Sequence, residues 1–198
     1  MIDWSLAERV MPGAHESGDL HVVHEFSEGL LIGVMDGLGH GPEAAVASRR
    51  CASILTEYAG EPLGEIVARC HEGLRGTRGA ALSLCTFKEG ASAWSWTGVG
   101  NVYGVLLREG DGPRRQRELL LQQNGVVGSH MPKPVVSTLA AVPGDVLILA
   151  TDGVRTDGFH ELHPQGTPQG IAERILEGHA TGTDDALVLV ARYVGGLP

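Results

Sequence analysis

Asp19-Leu-His-Val-Val-His-Glu-Phe26 and Leu30-Leu-Ile-Gly-Val-Met35 are two apolar, β-branched runs joined through Ser27, Glu28 and Gly29, and this spacing predicts a β-hairpin. In an antiparallel pair the numbers of opposed residues sum to a constant. A two-residue turn at Ser27-Glu28 sets Phe26 against Gly29, so Asp19 falls opposite Asp36 at the hairpin's open end, with β-carbons about 4.5–5.5 Å apart. Two opposed carboxylates repel unless something cationic lies between them, and no Lys or Arg flanks either one.

Working outward, Gly41-Pro42-Glu43 opens a helix with proline in its first turn and an acid at its positive end. Ala44, Ala47, Cys51, Ile54, Leu55 and Tyr58 continue it at helical spacing as far as Gly60. Pro62 starts a second helix with the stripe Leu63, Ile66, Val67, Cys70 and Leu74, closed by Gly76 and Gly79. Short strands are expected over 80–87, 91–97, 102–108 and 118–122, with an exposed polar loop at 109–117 and a weaker strand at 135–142. The continuous apolar runs 145–150 and 186–190 suit strands covered on both faces, and a helix is expected over 167–178. Helices set between runs of hairpin strands argue for an α+β layered domain rather than a βαβ wheel, and with no repeat or linker the expectation is one domain over 1–198.

Composition narrows the function. The chain has 198 residues, 42% of them hydrophobic, which suits a domain with a real core. A formal charge of −9 disfavours a nucleic-acid binder, which needs a basic face, and equally a polybasic membrane anchor. Three cysteines in apolar surroundings with no CxxC pair fit a reducing cytoplasm better than a disulfide framework. No run approaches the length of a membrane span, and residues 1–13 lack the basic-then-apolar order of a signal peptide.

Two further acidic positions resemble the first pair: Asp152 follows the buried run 145–150, and Asp184-Asp185 precede the run 186–190. If those strands are antiparallel, all these acids gather at strand ends. Carboxylates converging at the edge of an apolar core without a basic partner are the expected ligands of a hard divalent cation such as Mg²⁺ or Mn²⁺. Other readings are weaker. Gly37-Leu-Gly39-His-Gly41 lacks both the third glycine of a dinucleotide fingerprint, Pro42 standing there, and the Gly-Lys-Ser/Thr of a P-loop. His21 and His24 point to opposite faces of a strand, and His160 and His163 lack a third ligand. His40 sits close enough to the acids to meet a phosphate or simply to hold the turn, Asn101 reads as a turn residue, and Trp4, Trp94 and Trp96 read as core or core-edge residues.

Ser17-Gly18-Asp19, Val34-Met35-Asp36-Gly37-Leu38-Gly39-His40-Gly41, Ala150-Thr151-Asp152-Gly153-Val154 and Thr183-Asp184-Asp185-Ala186-Leu187-Val188 resemble, in order and spacing, the metal motifs of the PPM family of metal-dependent Ser/Thr protein phosphatases. The likeness is to its bacterial sporulation and stress-response branch, and closest to the small stand-alone phosphatases of the stressosome. Arg78-Gly79-Ala80 and Val99-Gly100-Asn101-Val102 strengthen it. The resemblance implies an αββα sandwich of two antiparallel sheets flanked by helices, with two Mn²⁺ or Mg²⁺ ions at one end. It implies Asp36 as the bridging, catalytic carboxylate, Asp19 and the carbonyl of Gly37 as ligands of one metal, and Asp152 and Asp184 as ligands of the other, with Asp185 outside the direct ligands. Such an enzyme hydrolyses phosphoserine or phosphothreonine with a metal-activated water, and accordingly no CxxxxxR or GxSxG nucleophile motif is present. The implied substrates are phosphorylated stressosome proteins of the RsbR/RsbS-like STAS type, the implied role is negative feedback on the stress response, and the rival is a non-catalytic phosphoprotein-binding protein of the same fold. No phosphate-anchoring arginine motif precedes Asp19, where Arg9 is the nearby candidate.

Overall fold

The computed structural model describes residues 1–108, 116–159, 162 and 164–195. Its strands form two five-stranded antiparallel sheets. One sheet runs β2 (Asp19–Phe26), β3 (Gly29–Gly37), β4 (Ala80–Lys88), β5 (Ala93–Val99) and β8 (Ser137–Ala140). The other runs β1 (Ile2–Arg9), β10 (Ala186–Tyr193), β9 (Val146–Ala150), β6 (Tyr103–Arg108) and β7 (Gln116–Leu119). Helices α1 (Pro42–Glu57) and α2 (Leu63–Gly73) cover the first sheet, and α3 (Pro168–His179) covers the second.

Side-chain alternation builds this layering. On β3, Leu31 and Met35 point to α1 and α2, while Leu30, Ile32 and Val34 point between the sheets. On β10, Leu187, Leu189 and Ala191 point between the sheets, and Ala186, Val188 and Val190 point to α3. Strands sandwiched in this way need apolar residues at every position, which explains the unbroken runs at 146–150 and 186–190; Asp145, read from the sequence as the start of the first run, is a buried acid just before β9 that accepts from Trp94 Nε1 at 3.1 Å. Each fully buried Leu, Ile or Val contributes about 1.5–3 kcal/mol relative to exposure. The helices begin where their sequences say: Pro42 occupies the first turn of α1, and Thr167 caps α3 by accepting a hydrogen bond from the Gly170 N–H at 3.2 Å.

The hairpin register is the expected one, with Phe26 opposite Gly29 and Asp19 opposite Asp36. Three expectations are corrected. Ile2–Arg9 forms an edge strand, β1, on β10, where no strand was anticipated; Trp4 on it is 39% exposed at the core's edge, against His21 of the other sheet, while Trp94 and Trp96 are buried. The strand expected at 118–122 is β7, which begins two residues earlier at the cost of the loop's end, because Arg108 pairs with Gln116. The weak strand at 135–142 shortens to β8. The rest of the 109–117 loop, residues 109–115, and the pair His160 and His163 lie outside the described residues. Among the described residues no helix is long and apolar enough to cross a membrane.

Candidate metal centre

Four chain segments meet at the end of the sandwich away from the Ser27-Glu28 turn. Asp19 starts β2 and Asp36 closes β3, directly opposed by register. Asp152 follows β9 and Asp184 and Asp185 precede β10, and since β9 and β10 are antiparallel with Ala150 opposite Val188, these acids come to the same end. The helix α1 is brought against them by small residues: a Cβ on Gly37 would lie 2.2 Å from the Ala44 carbonyl oxygen, and one on Gly18 would lie 3.0 Å from the Ala44 Cβ. The Ser48 hydroxyl donates to the Gly18 carbonyl, and the Gly37 N–H donates to that same carbonyl at 3.0 Å.

Each acid is held differently. Thr151 Oγ1 donates to Asp19 Oδ2 at 2.7 Å and itself accepts from the Leu187 N–H at 2.9 Å, so β9 and β10 together orient Asp19. Asp185 accepts from the Met11 N–H at 2.8 Å with Oδ1 and from the Gly18 N–H at 2.7 Å with Oδ2, tying the crossover 10–18 to the base of the site. The Asp184 carboxylate accepts from the Asp185 N–H at 2.8 Å. Asn101 Nδ2 donates to Asp152 Oδ2 at 2.6 Å, a contact that reading Asn101 as a plain turn residue missed. The missing signal was pairing arithmetic: Tyr103 faces Ala150, and Asn101 and Asp152 stand two positions further along that register.

The electrostatics follow from crowding. Burial, then the charges of Asp19, Asp152, Asp184 and Asp185, pushes the Asp36 carboxyl up from 3.8 to about 8. Burial pushes Asp19 up to about 7 against the lowering effect of its Thr151 hydrogen bond, with Asp185, Asp152 and Asp184 adding repulsion. Burial, then Asp184, raises Asp152 as well. Among the described residues none of these five acids forms an ion pair with Lys, Arg or His. Nor, among the described residues, do any three His, Cys, Asp or Glu side chains already close around one point tightly enough to hold an ion. What fits a divalent metal is the donor set: carboxylate oxygens gathered at one end of the molecule, raised by burial and by one another, with no cationic partner among the described residues.

The surroundings are uneven. His40 is exposed on the loop between Gly39 and Gly41, and Arg9 stands opposite Ala186 at the end of β1. Arg78, noted in the sequence only as part of Arg78-Gly79-Ala80, pairs with Glu43 beside that loop. A groove of about 870 Å³ lies at the opposite end, among Met1, Trp4, Phe26 and Phe87, and holds none of the five acids.

Residues 27–194 match the family description Stage II sporulation protein E (SpoIIE). Phosphoserine phosphatase RsbX of Bacillus subtilis (strain 168) is 24% identical over 173 residues, 87% of this chain and 85% of that protein. A chain solved for the bacterial stressosome, a modular system adapted to control secondary messenger signaling, superposes with a TM-score of 0.87 at 26% identity, over 97% of this chain and all of that one. RsbX in complex with magnesium superposes with a TM-score of 0.86 at 22% identity, over 96% of this chain and 94% of that one.

Proposed function

Because the chain belongs to the stage II sporulation protein E family and is a PPM-type, metal-dependent Ser/Thr protein phosphatase, we propose that Asp19, Asp36, Asp152, Asp184 and the Gly37 carbonyl hold two Mn²⁺ or Mg²⁺ ions. Asp36, flanked by Asp19 on its own hairpin and by Asp152 and Asp184 across the sandwich, is the carboxylate that serves both ions. Asp19 and Gly37 complete one site, and Asp152 and Asp184 the other. The observation that carries this reading is the convergence of these carboxylates, with Asp36 raised to about 8 and no basic partner among the described residues.

Two divalent cations there supply an activated water and a clamp on the phosphoryl oxygens, positioned for in-line displacement. The chain's own residues prepare this. Thr151 fixes Asp19, Asn101 fixes Asp152, and Asp185 fixes the backbone at Met11 and Gly18. At neutral pH Asp19 and Asp36 retain protons that cation binding displaces. None of the three cysteines offers a protein nucleophile: Cys51, Cys70 and Cys85 are buried in the core, and burial raises the Cys85 thiol. The cysteines therefore supply no nucleophile, in keeping with a reading in which water activated at the metals would attack the phosphorus.

The natural substrates in this reading are phosphorylated stressosome proteins of the RsbR/RsbS-like STAS type, and the enzyme acts in negative feedback on the stress response. The likeness to RsbX and to the stressosome chain supports this. The test is hydrolysis of p-nitrophenyl phosphate and of purified phosphorylated stressosome proteins with Mn²⁺ added. Asp36→Ala abolishes turnover in a folded protein; full activity in that variant overturns the site, and metal-dependent binding of a phosphoprotein without turnover by the native chain overturns the activity.

A further inference from the structure

A groove of about 470 Å³ runs beside the site, lined by Pro42, Glu43 and Val46 on α1 and by Gly76, Thr77 and Arg78 on the turn before β4. It adjoins the loop that leaves Asp36, because a Cβ on Gly39 would lie 2.5 Å from Arg78 Nη1 and the Leu38 N–H donates to the Gly79 carbonyl at 3.0 Å. Val46 is 48% exposed on the outer face of a helix whose inner face buries Ala44, Ala45, Ala47 and Ser48, and Leu38 on the loop is 36% exposed. Apolar side chains that flank a reaction centre in this way are a surface for a partner.

The charges choose among partners. The Arg78 guanidinium lies over Gly39 and pairs through Nη2 with Glu43, yet its side chain is 49% exposed, so it keeps donors free. Glu43, at 67% exposed and in the first turn of α1, can swing into water, since an exposed pair of this kind is worth about 0–1 kcal/mol. With five N–H donors and only Nη2 committed to Glu43, Arg78 can take an incoming carboxylate or phosphate without giving up its partner.

We propose that this groove seats the stretch of the phosphoprotein substrate next to its phosphoserine, with an apolar side chain over Val46 and an acidic group on Arg78. The inference rests on the phosphatase reading and gives it a substrate preference: apolar and acidic residues beside the phosphorylated position. The probe is a dodecapeptide with one phosphoserine flanked on each side by leucine and glutamate, compared with p-nitrophenyl phosphate, which is too small to span the groove. Val46→Glu and Arg78→Glu, both at exposed positions, lower kcat/KM for the peptide at least tenfold more than for p-nitrophenyl phosphate, and the loss is in KM. Thr56→Glu, at the far end of α1, changes neither substrate. Equal losses on both substrates, or no loss on the peptide, overturn the proposal, as does a dimer in sedimentation that Val46→Glu dissolves. Failure of the phosphatase reading is distinguishable, because the unmodified protein then hydrolyses neither probe.

Discussion

Replacing Asp36 by asparagine in metal-free protein separates the electrostatic cost of the site from its chemistry. The carboxyl is raised from 3.8 to about 8 chiefly by burial and next by Asp19. A group whose pKa is higher folded than unfolded contributes stability that is complete below about pH 4 and is lost as pH rises through about 8. At about 1.36 kcal/mol per pKa unit, that separation sets a ceiling of about 6 kcal/mol. Asp36 is partly accessible and its neighbours can relax, so the realised cost at pH 8.5 is about 2–3 kcal/mol. Asparagine keeps the shape and removes the charge. In EDTA at pH 8.5 Asp36→Asn is therefore more stable than the native chain by about 2–3 kcal/mol, a Tm gain of about 4–12 °C for a chain of this size. At pH 5 the gap shrinks below about 1 kcal/mol. Urea titrations read by the fluorescence of buried Trp94 and Trp96 measure both values. A variant no more stable than the native chain at pH 8.5, or a gap that does not change with pH, refutes the reasoning.

Binding of Mn²⁺ at pH 7 releases about one proton, since Asp19 and Asp36 titrate near there; calorimetry in buffers of different ionisation enthalpy counts it. Asn101→Ala frees Asp152 and weakens Mn²⁺ binding by about tenfold with little change in stability, measured by calorimetry and thermal melting. Asp185→Ala leaves the Met11 and Gly18 amides without their acceptor and lowers stability by about 1–3 kcal/mol in urea. Gly153→Ala sets a Cβ 1.8 Å from the Asp185 carbonyl oxygen, a backbone clash that destabilises by about 1–3 kcal/mol or more and separates Asp152 from Asp184.

The site's first pair was legible because a two-residue turn leaves one register, and the register alone opposes Asp19 to Asp36. The buried stretches 146–150 and 186–190 announced themselves by apolar residues at every position, which only a doubly covered strand requires. β1 was hidden because an edge strand half exposed to water carries no such run: Trp4 and Glu8 share the inter-sheet face with Ala191 and Leu187, but at its open edge, where both stay exposed. Asn101 was hidden because its role depends on β6 pairing with β9, strands separated by a long stretch of chain. Arg78 was marked only as part of Arg78-Gly79-Ala80; its place beside Gly39 was hidden because it arises from β3 pairing with β4.

The central claim is that these carboxylates hold two divalent cations, and diffraction from crystals grown with Mn²⁺, recorded at the manganese absorption edge, tests it most directly. The account predicts two anomalous peaks roughly 3.5–4 Å apart, one between Asp19, Asp36 and the Gly37 carbonyl and one between Asp36, Asp152 and Asp184. A single peak elsewhere, or none at this end of the sandwich at saturating Mn²⁺, contradicts it.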